Sequence, residues 1–165
     1  MGMISNFLRV DSNMLESFRA DSRLLENRIY SDEIDDDPDF IDIDKSWDGI
    51  IFLLTGQNVE KAEGEMLKLF FSGNLIDPEQ NLGYGPAHYL DATEVRYLSD
   101  KMNKIQLEEL KGKFDAIKMK NIDVYPGIWD EGEVALSYLI DSFEDLRSFY
   151  QQAATNNQAI ISILN

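Results

Sequence analysis

The side chains with the best claim to chemistry fall in three short strings. Trp47-Asp48-Gly49 and Tyr125-Pro126-Gly127-Ile128-Trp129-Asp130 each set an indole beside a carboxylate, the raw material of a pocket for a polar or cationic group. Between them, in Gly83-Tyr84-Gly85-Pro86-Ala87-His88-Tyr89-Leu90, stands the one histidine of the chain. If the strings meet, Asp48 or Asp130 serves as base or ligand anchor and His88 as the acid/base partner. A general base at His88 needs a carboxylate, and Asp48, Asp91 and Asp130 are the candidates. A structural reading stands beside the chemical one. Trp47 shares an apolar helical face with Ile50, Ile51 and Leu54, which makes it core. Asp48 then supports the first helical turn electrostatically. Pro126-Gly127 suits a type II turn, with Pro fixing φ at the second position and Gly accepting positive φ at the third.

Other chemistries are excluded outright. With no cysteine there is no disulfide, thiolate zinc site or cysteine nucleophile. A single histidine rules out a three-histidine zinc centre within the chain. No Gly-x-Ser-x-Gly elbow occurs, and no glycine run leads into the Gly-Lys-Ser/Thr of a phosphate loop. Asp35, Asp37 and Asp39 have the first three spacings of a calcium loop, but Phe40 stands where Gly is needed and Ser46 where a bidentate Glu is needed. The expectation is therefore no assigned catalytic residue, no metal and no cofactor.

Charge is the strongest compositional signal. Thirty-one acids against fifteen bases give a net charge of −16, which opposes nucleic-acid backbones and anionic membranes and favours solubility, cations or a basic protein partner, beside the plain reading that the acids solvate the surface. The acids are densest over 31–44, where Asp35, Asp36, Asp37 and Asp39 surround Pro38, and this segment reads as an exposed loop with Phe40 and Ile41 pinned to the body. Those four aspartates are the candidate docking loop for such a partner. No run approaches the eighteen or so apolar residues of a membrane span, and the first residues lack the basic and apolar regions of a signal peptide. Asn6 also stands where a myristoylation site needs Ser or Thr. A cytoplasmic location is the expectation.

The elements that must position these residues follow from periodicity. Residues 3–10 read as a strand, and Asp11-Ser12 caps one helix running to about Tyr30. A helix over 46–54 ends at Gly56, and a shorter one over 65–71 ends at Gly73. The segment 84–90 is extended, with Pro86 barring a regular central strand. Asp91-Ala92-Thr93-Glu94 is a capping box that opens a helix to about Ile105, and 107–114 continues as another. A helical turn near 117–119 precedes a turn over 124–129. The longest helix, 131–154, carries Ala135, Leu139, Phe143, Leu146, Tyr150 and Ala153 along one stripe. Residues 159–164 are a buried strand. The economical solution is an α+β domain spanning 1–165, with helices packed on a small sheet that contains the N-terminal and C-terminal strands.

Asp44-Lys-Ser-Trp-Asp-Gly-Ile-Ile-Phe-Leu-Leu-Thr-Gly56, Gly83 to Leu90 and Val124-Tyr-Pro-Gly-Ile-Trp129, in that order and spacing, resemble the YfbM-like family of uncharacterised bacterial proteins. The Met1-Gly2-Met3-Ile4 start and the helix with Phe143, Leu146 and Tyr150 are similar to it as well, so the resemblance covers essentially the whole chain. Residues 57–82 match least, and Asp32 to Asp39 look like an elaboration of this chain. The resemblance implies a compact α+β domain of unknown function and brings no catalytic residues. The functional expectation is a non-enzymatic protein-binding module for a basic partner, in one form an immunity-type protein that blocks a basic toxin. The alternative is a small-molecule-binding protein or enzyme with a pocket made from Trp47-Asp48, His88 and Tyr125-Trp129-Asp130.

Overall fold

The computed structural model describes residues 2–165; Met1, the first residue of the Met-Gly-Met-Ile start, lies outside them. In chain order the strands and α-helices are β1 (Ser5–Val10), α1 (Ser12–Ala20), α2 (Ser22–Ile29), β2 (Phe40–Asp42), α3 (Trp47–Thr55), β3 (His88–Leu90), α4 (Ala92–Asn103), α5 (Leu107–Gly112), α6 (Ala116–Asn121), α7 (Glu133–Thr155) and β4 (Ala159–Leu164). The four strands form one antiparallel sheet in the order β2-β1-β4-β3. Its central pair joins the two ends of the chain, from Ser5 opposite Leu164 to Val10 opposite Ala159. The α+β expectation with paired terminal strands holds.

Both faces of the sheet are covered, which explains why β4 reads Ala-Ile-Ile-Ser-Ile-Leu without a polar alternation. Phe7 and Ile160 face the larger core, with Ile50 of α3, Val95 and Leu98 of α4, and Leu139, Phe143 and Tyr150 of α7. Leu8, Val10, Ile161 and Ile163 face the smaller one, closed by Leu15, Phe18, Leu25 and Ile29 of α1 and α2 and by Ile76, Leu82 and Ala87. Ser162, the one polar interior residue of β4, donates its hydroxyl to the Phe70 carbonyl at 2.7 Å, so the strand buries no orphan donor.

Three local readings are corrected. The single helix expected over 12–30 is two, because Asp21 is extended (φ −144°, ψ 98°) and accepts from the Arg23 N–H as the N-cap of α2. The acidic segment is not all loop: Ile34–Asp36 is a 3-10 turn, and Phe40–Asp42 is an edge strand opposite Leu8, Phe7 and Asn6. Residues Glu65–Leu69 are 3-10 rather than α-helical. Of the extended stretch before α4, only His88–Leu90 is strand, and its outer edge is covered by a bridge from Leu75. The Asp91 capping box forms in both directions. Gly56 ends α3 with positive φ (78°), and Gly127 takes φ 86°; the bond between Tyr125 and Pro126 is cis, which nothing in the sequence signals.

Candidate functional site

Two of the three strings meet in the larger core. Asp48, in the first turn of α3, is only 1% exposed, and its carboxylate is fully engaged by backbone. Oδ1 accepts from the Val59 N–H at 2.7 Å and Oδ2 from the Tyr125 N–H at 2.9 Å. Burial pushes the Asp48 pKa up, and the two N–H donors counter only part of that rise. Trp47 donates from Nε1 to the Met3 carbonyl at 3.0 Å and stacks on Tyr125 with ring centroids 5.7 Å apart. The Tyr125 hydroxyl in turn accepts from the Met3 N–H at 2.9 Å. Trp129 is buried and donates from Nε1 to Val124 O at 2.7 Å. Gly49 makes room for it: a Cβ there would stand 2.7 Å from Trp129 Cη2 and 2.5 Å from Leu139 Cδ2. Each member of Trp47-Asp48-Gly49 thus has a separate task in tying the N-terminal segment, residue 59 and the 124–129 turn to α3.

The other candidates lie apart from this knot. Asp130 is exposed and pairs with Lys120 at 2.7 Å. His88 is connected to Trp47 only through Phe71, whose ring meets His88 edge-on at 5.5 Å and Trp47 at 6.0 Å. His88 Nδ1 accepts from the Gly73 N–H at 3.1 Å, which places the proton of the neutral ring on Nε2. Desolvation lowers its pKa. The cavity at His88, shared with Ser5, Tyr84 and Ser162, is about 40 Å³, far below the size of a small-molecule site. None of the carboxylates named for His88 appears among its hydrogen-bond or ion-pair partners: Asp48 is taken up by backbone, Asp91 caps α4 and Asp130 holds Lys120. The six residues therefore do not line one pocket, and Trp47, Asp48, Tyr125 and Trp129 are fastenings of the fold.

The acidic segment divides in two. Asp37 and Asp39 are turned inward, to Arg28 at 2.9 Å and Arg9 at 2.8 Å. Asp35 and Asp36, on the 3-10 turn, are exposed and pair with no cation among the described residues, as are Asp32, Glu33, Asp42 and Asp44. Of these six, Asp42 lies on β2, the sheet edge that no strand covers, Asp35 and Asp36 lie on the 3-10 turn that contacts it, and Asp44 Oδ2 accepts from the Tyr138 hydroxyl at 2.8 Å. Among the described residues no three His, Asp or Glu side chains are grouped so as to hold a metal ion. No described helix is long and apolar enough to cross a membrane.

One groove was not anticipated. Between the 3-10 helix Glu65–Leu69 and α4 lies an open hollow of about 360 Å³, lined by Glu65, Lys68, Leu90, Tyr97 and Leu98 and by Thr93 and Glu94. Tyr97, on the outer face of α4, is 52% exposed, and its hydroxyl donates to Glu65 Oε2 at 2.7 Å. Lys101 reaches Glu65 Oε1 at 2.8 Å and lies 5.1 Å from the Tyr97 ring centroid. The exposed aromatic at position 97 was the available signal; that residues 65–68 face it was not.

Comparison with known proteins agrees with the fold and the motif strings. Residues 1–163 match the family model described as a domain of unknown function (DUF1877). Protein YfbM of Escherichia coli (strain K12) is 26% identical over an alignment of 177 residues covering 99% of both chains. The crystal structure of YfbM from Escherichia coli, a protein of unknown function, superposes with a TM-score of 0.77 at 17% identity, covering 98% of this chain and 99% of that one. The strings that bind α3 to the 124–129 turn thus sit in a fold shared along its whole length, and the chain belongs to the YfbM-like family of domains of unknown function.

Proposed function

We propose that the chain is a non-catalytic recognition domain of the cytosol that docks a basic protein partner. The observation that carries this reading is the β2 edge and the acidic segment around it, where Asp32, Glu33, Asp35, Asp36, Asp42 and Asp44 are exposed and pair with no cation among the described residues, on a chain of net charge −16. An acidic border raises the encounter rate with a basic surface and repels acidic competitors. The same charges keep the edge from pairing with another copy, so solubility and recognition are served by one arrangement. Asp37 and Asp39 contribute by shape: through Arg28 and Arg9 they brace the segment that presents the free acids. An immunity-type protein that occludes a basic toxin domain is the concrete form of this reading. The pocket reading built on Asp48 and His88 has less support, because their acceptor atoms are committed to backbone N–H groups.

The test is affinity capture on the immobilised chain at low and physiological salt, with the Asp35→Asn/Asp36→Asn/Asp42→Asn triple variant in parallel. A basic protein retained at physiological salt by the native chain and lost by the variant supports the proposal. Retention of the same proteins by the variant, or no retention even at low salt, overturns it.

A further inference from the structure

We infer that the groove between the 3-10 helix Glu65–Leu69 and α4 is a binding site for a small organic monocarboxylate with an apolar body. This goes beyond the partner-docking proposal and does not rest on it. The floor is apolar, made by the buried Leu90 and Leu98, and the exposed Tyr97 ring forms a wall. At about 360 Å³ the groove is within the range of small-molecule sites. Its charges decide the ligand class. Both carboxylates at the rim are already committed. Glu65 accepts from Lys101 and from the Tyr97 hydroxyl, and those contacts, with a smaller contribution from the nearby Lys68 charge, hold its pKa below the ordinary value. Glu94 Oε2 accepts from the Asp91 N–H as half of the capping box. Lys68, by contrast, is exposed and has no hydrogen-bond or ion-pair partner among the described residues. Lys68 is therefore the one cation that lines this groove, and its ammonium stands beside apolar surface with no hydrogen bond or ion pair holding it among the described residues. An apolar body resting on Leu90, Leu98 and the Tyr97 ring, with a carboxylate at the Lys68 ammonium, satisfies both.

The test compares three probes of one shape, 3-phenylpropionate, 3-phenylpropanamide and 3-phenylpropylamine, by calorimetry and by backbone amide NMR shifts. The carboxylate should bind at least about tenfold more tightly than the amide, as a charge-assisted contact implies. Shifts should centre on Thr93, Tyr97 and Leu98. Lys68→Gln should remove that advantage while leaving the thermal midpoint unchanged, and the Asp35→Asn/Asp36→Asn/Asp42→Asn variant should bind the carboxylate as the native chain does. The inference is overturned if the amine binds as well as the acid, if Lys68→Gln keeps the preference, or if millimolar carboxylate produces no shifts localised to α4.

Discussion

Replacing Asp48 by Asn should destabilise the fold by about 2–4 kcal/mol, a magnitude that follows from its two contacts. The native carboxylate, itself almost fully buried, accepts one backbone N–H eleven residues away and another seventy-seven residues away. Asn offers one oxygen, so either Val59 or Tyr125 must face an amide NH₂ and leave a buried donor unpaired. A hydrogen bond to a charged group contributes about 1.5–3 kcal/mol, and the orphaned donor adds about 1–3 kcal/mol more. Relief of the buried charge offsets part of this, since Asn carries none. For a domain of this size the result is a fall in Tm of roughly 5–15 °C. Urea and thermal unfolding of Asp48→Asn would measure it, with Asp130→Asn as the neighbouring control. Asp130 holds only an exposed pair with Lys120, of the kind that contributes about 0–1 kcal/mol. If Asp48→Asn is within about 0.5 kcal/mol of the native protein, or loses no more than Asp130→Asn, Asp48 is not the fastening described here.

Three other expectations follow. Gly49→Ala should destabilise by about 1–3 kcal/mol by overpacking against Leu139 and Trp129, whereas Gly112→Ala, where a Cβ meets nothing within 4 Å, should be neutral or stabilise by up to about 1 kcal/mol; unfolding curves of the pair separate sterics from helix propensity. Tyr150→Phe should cost about 1–2 kcal/mol, because the fully buried hydroxyl donates to Leu69 O at 2.7 Å and phenylalanine leaves that carbonyl unpaired; a loss below about 0.3 kcal/mol would contradict this. His88 has a folded pKa below its ordinary value of 6.5, so the unfolded chain takes the proton first. Its stabilising contribution is complete above pH 6.5 and is lost as pH falls from there toward the lowered folded pKa. His88→Asn, whose Oδ1 can accept the Gly73 N–H in place of Nδ1, should remove that slope, and an identical pH profile for the two proteins would refute it.

The elements that were legible from sequence are those in which local pattern and tertiary role agree. The α7 stripe, the Asp91 capping box and the apolar β4 run each signal their own structure. Legibility failed where a distant partner decides. Phe40–Asp42 sits among carboxylates that argue for a loop, and it becomes a strand because Phe40 and Ile41 register with Leu8 and Phe7. At Asp21 the signal was present, since Asp21-Ser22 repeats the Asp11-Ser12 cap, but Phe18 and Leu25 are seven residues apart, so the apolar residues stay in helical phase across the break. The Trp47-Asp48-Gly49 string stands out in the sequence by its residue types. Its purpose was hidden because the N–H groups of Val59 and Tyr125, the Met3 carbonyl and the Trp129 ring arrive only with the tertiary fold. Lys68 and Tyr97 gave no joint signal, because twenty-eight residues, a strand among them, separate them in the chain.

The pairing of β1 with β4 bears on the order in which the molecule can be made. The middle of the sheet brings Ser5 against Leu164, so its ladder closes a loop of nearly the whole chain. The closure entropy must be met before that pairing returns any stability, and such non-local topology slows folding. During synthesis the helices α1 to α7 are made before residues 159–164 exist, and until then Leu8 and Val10 lack their cross-strand neighbours Ile161 and Ala159. Until then β1 can pair only with β2, which leaves its other edge open, and the acidic segment that leads into β2 keeps charge beside that two-strand unit.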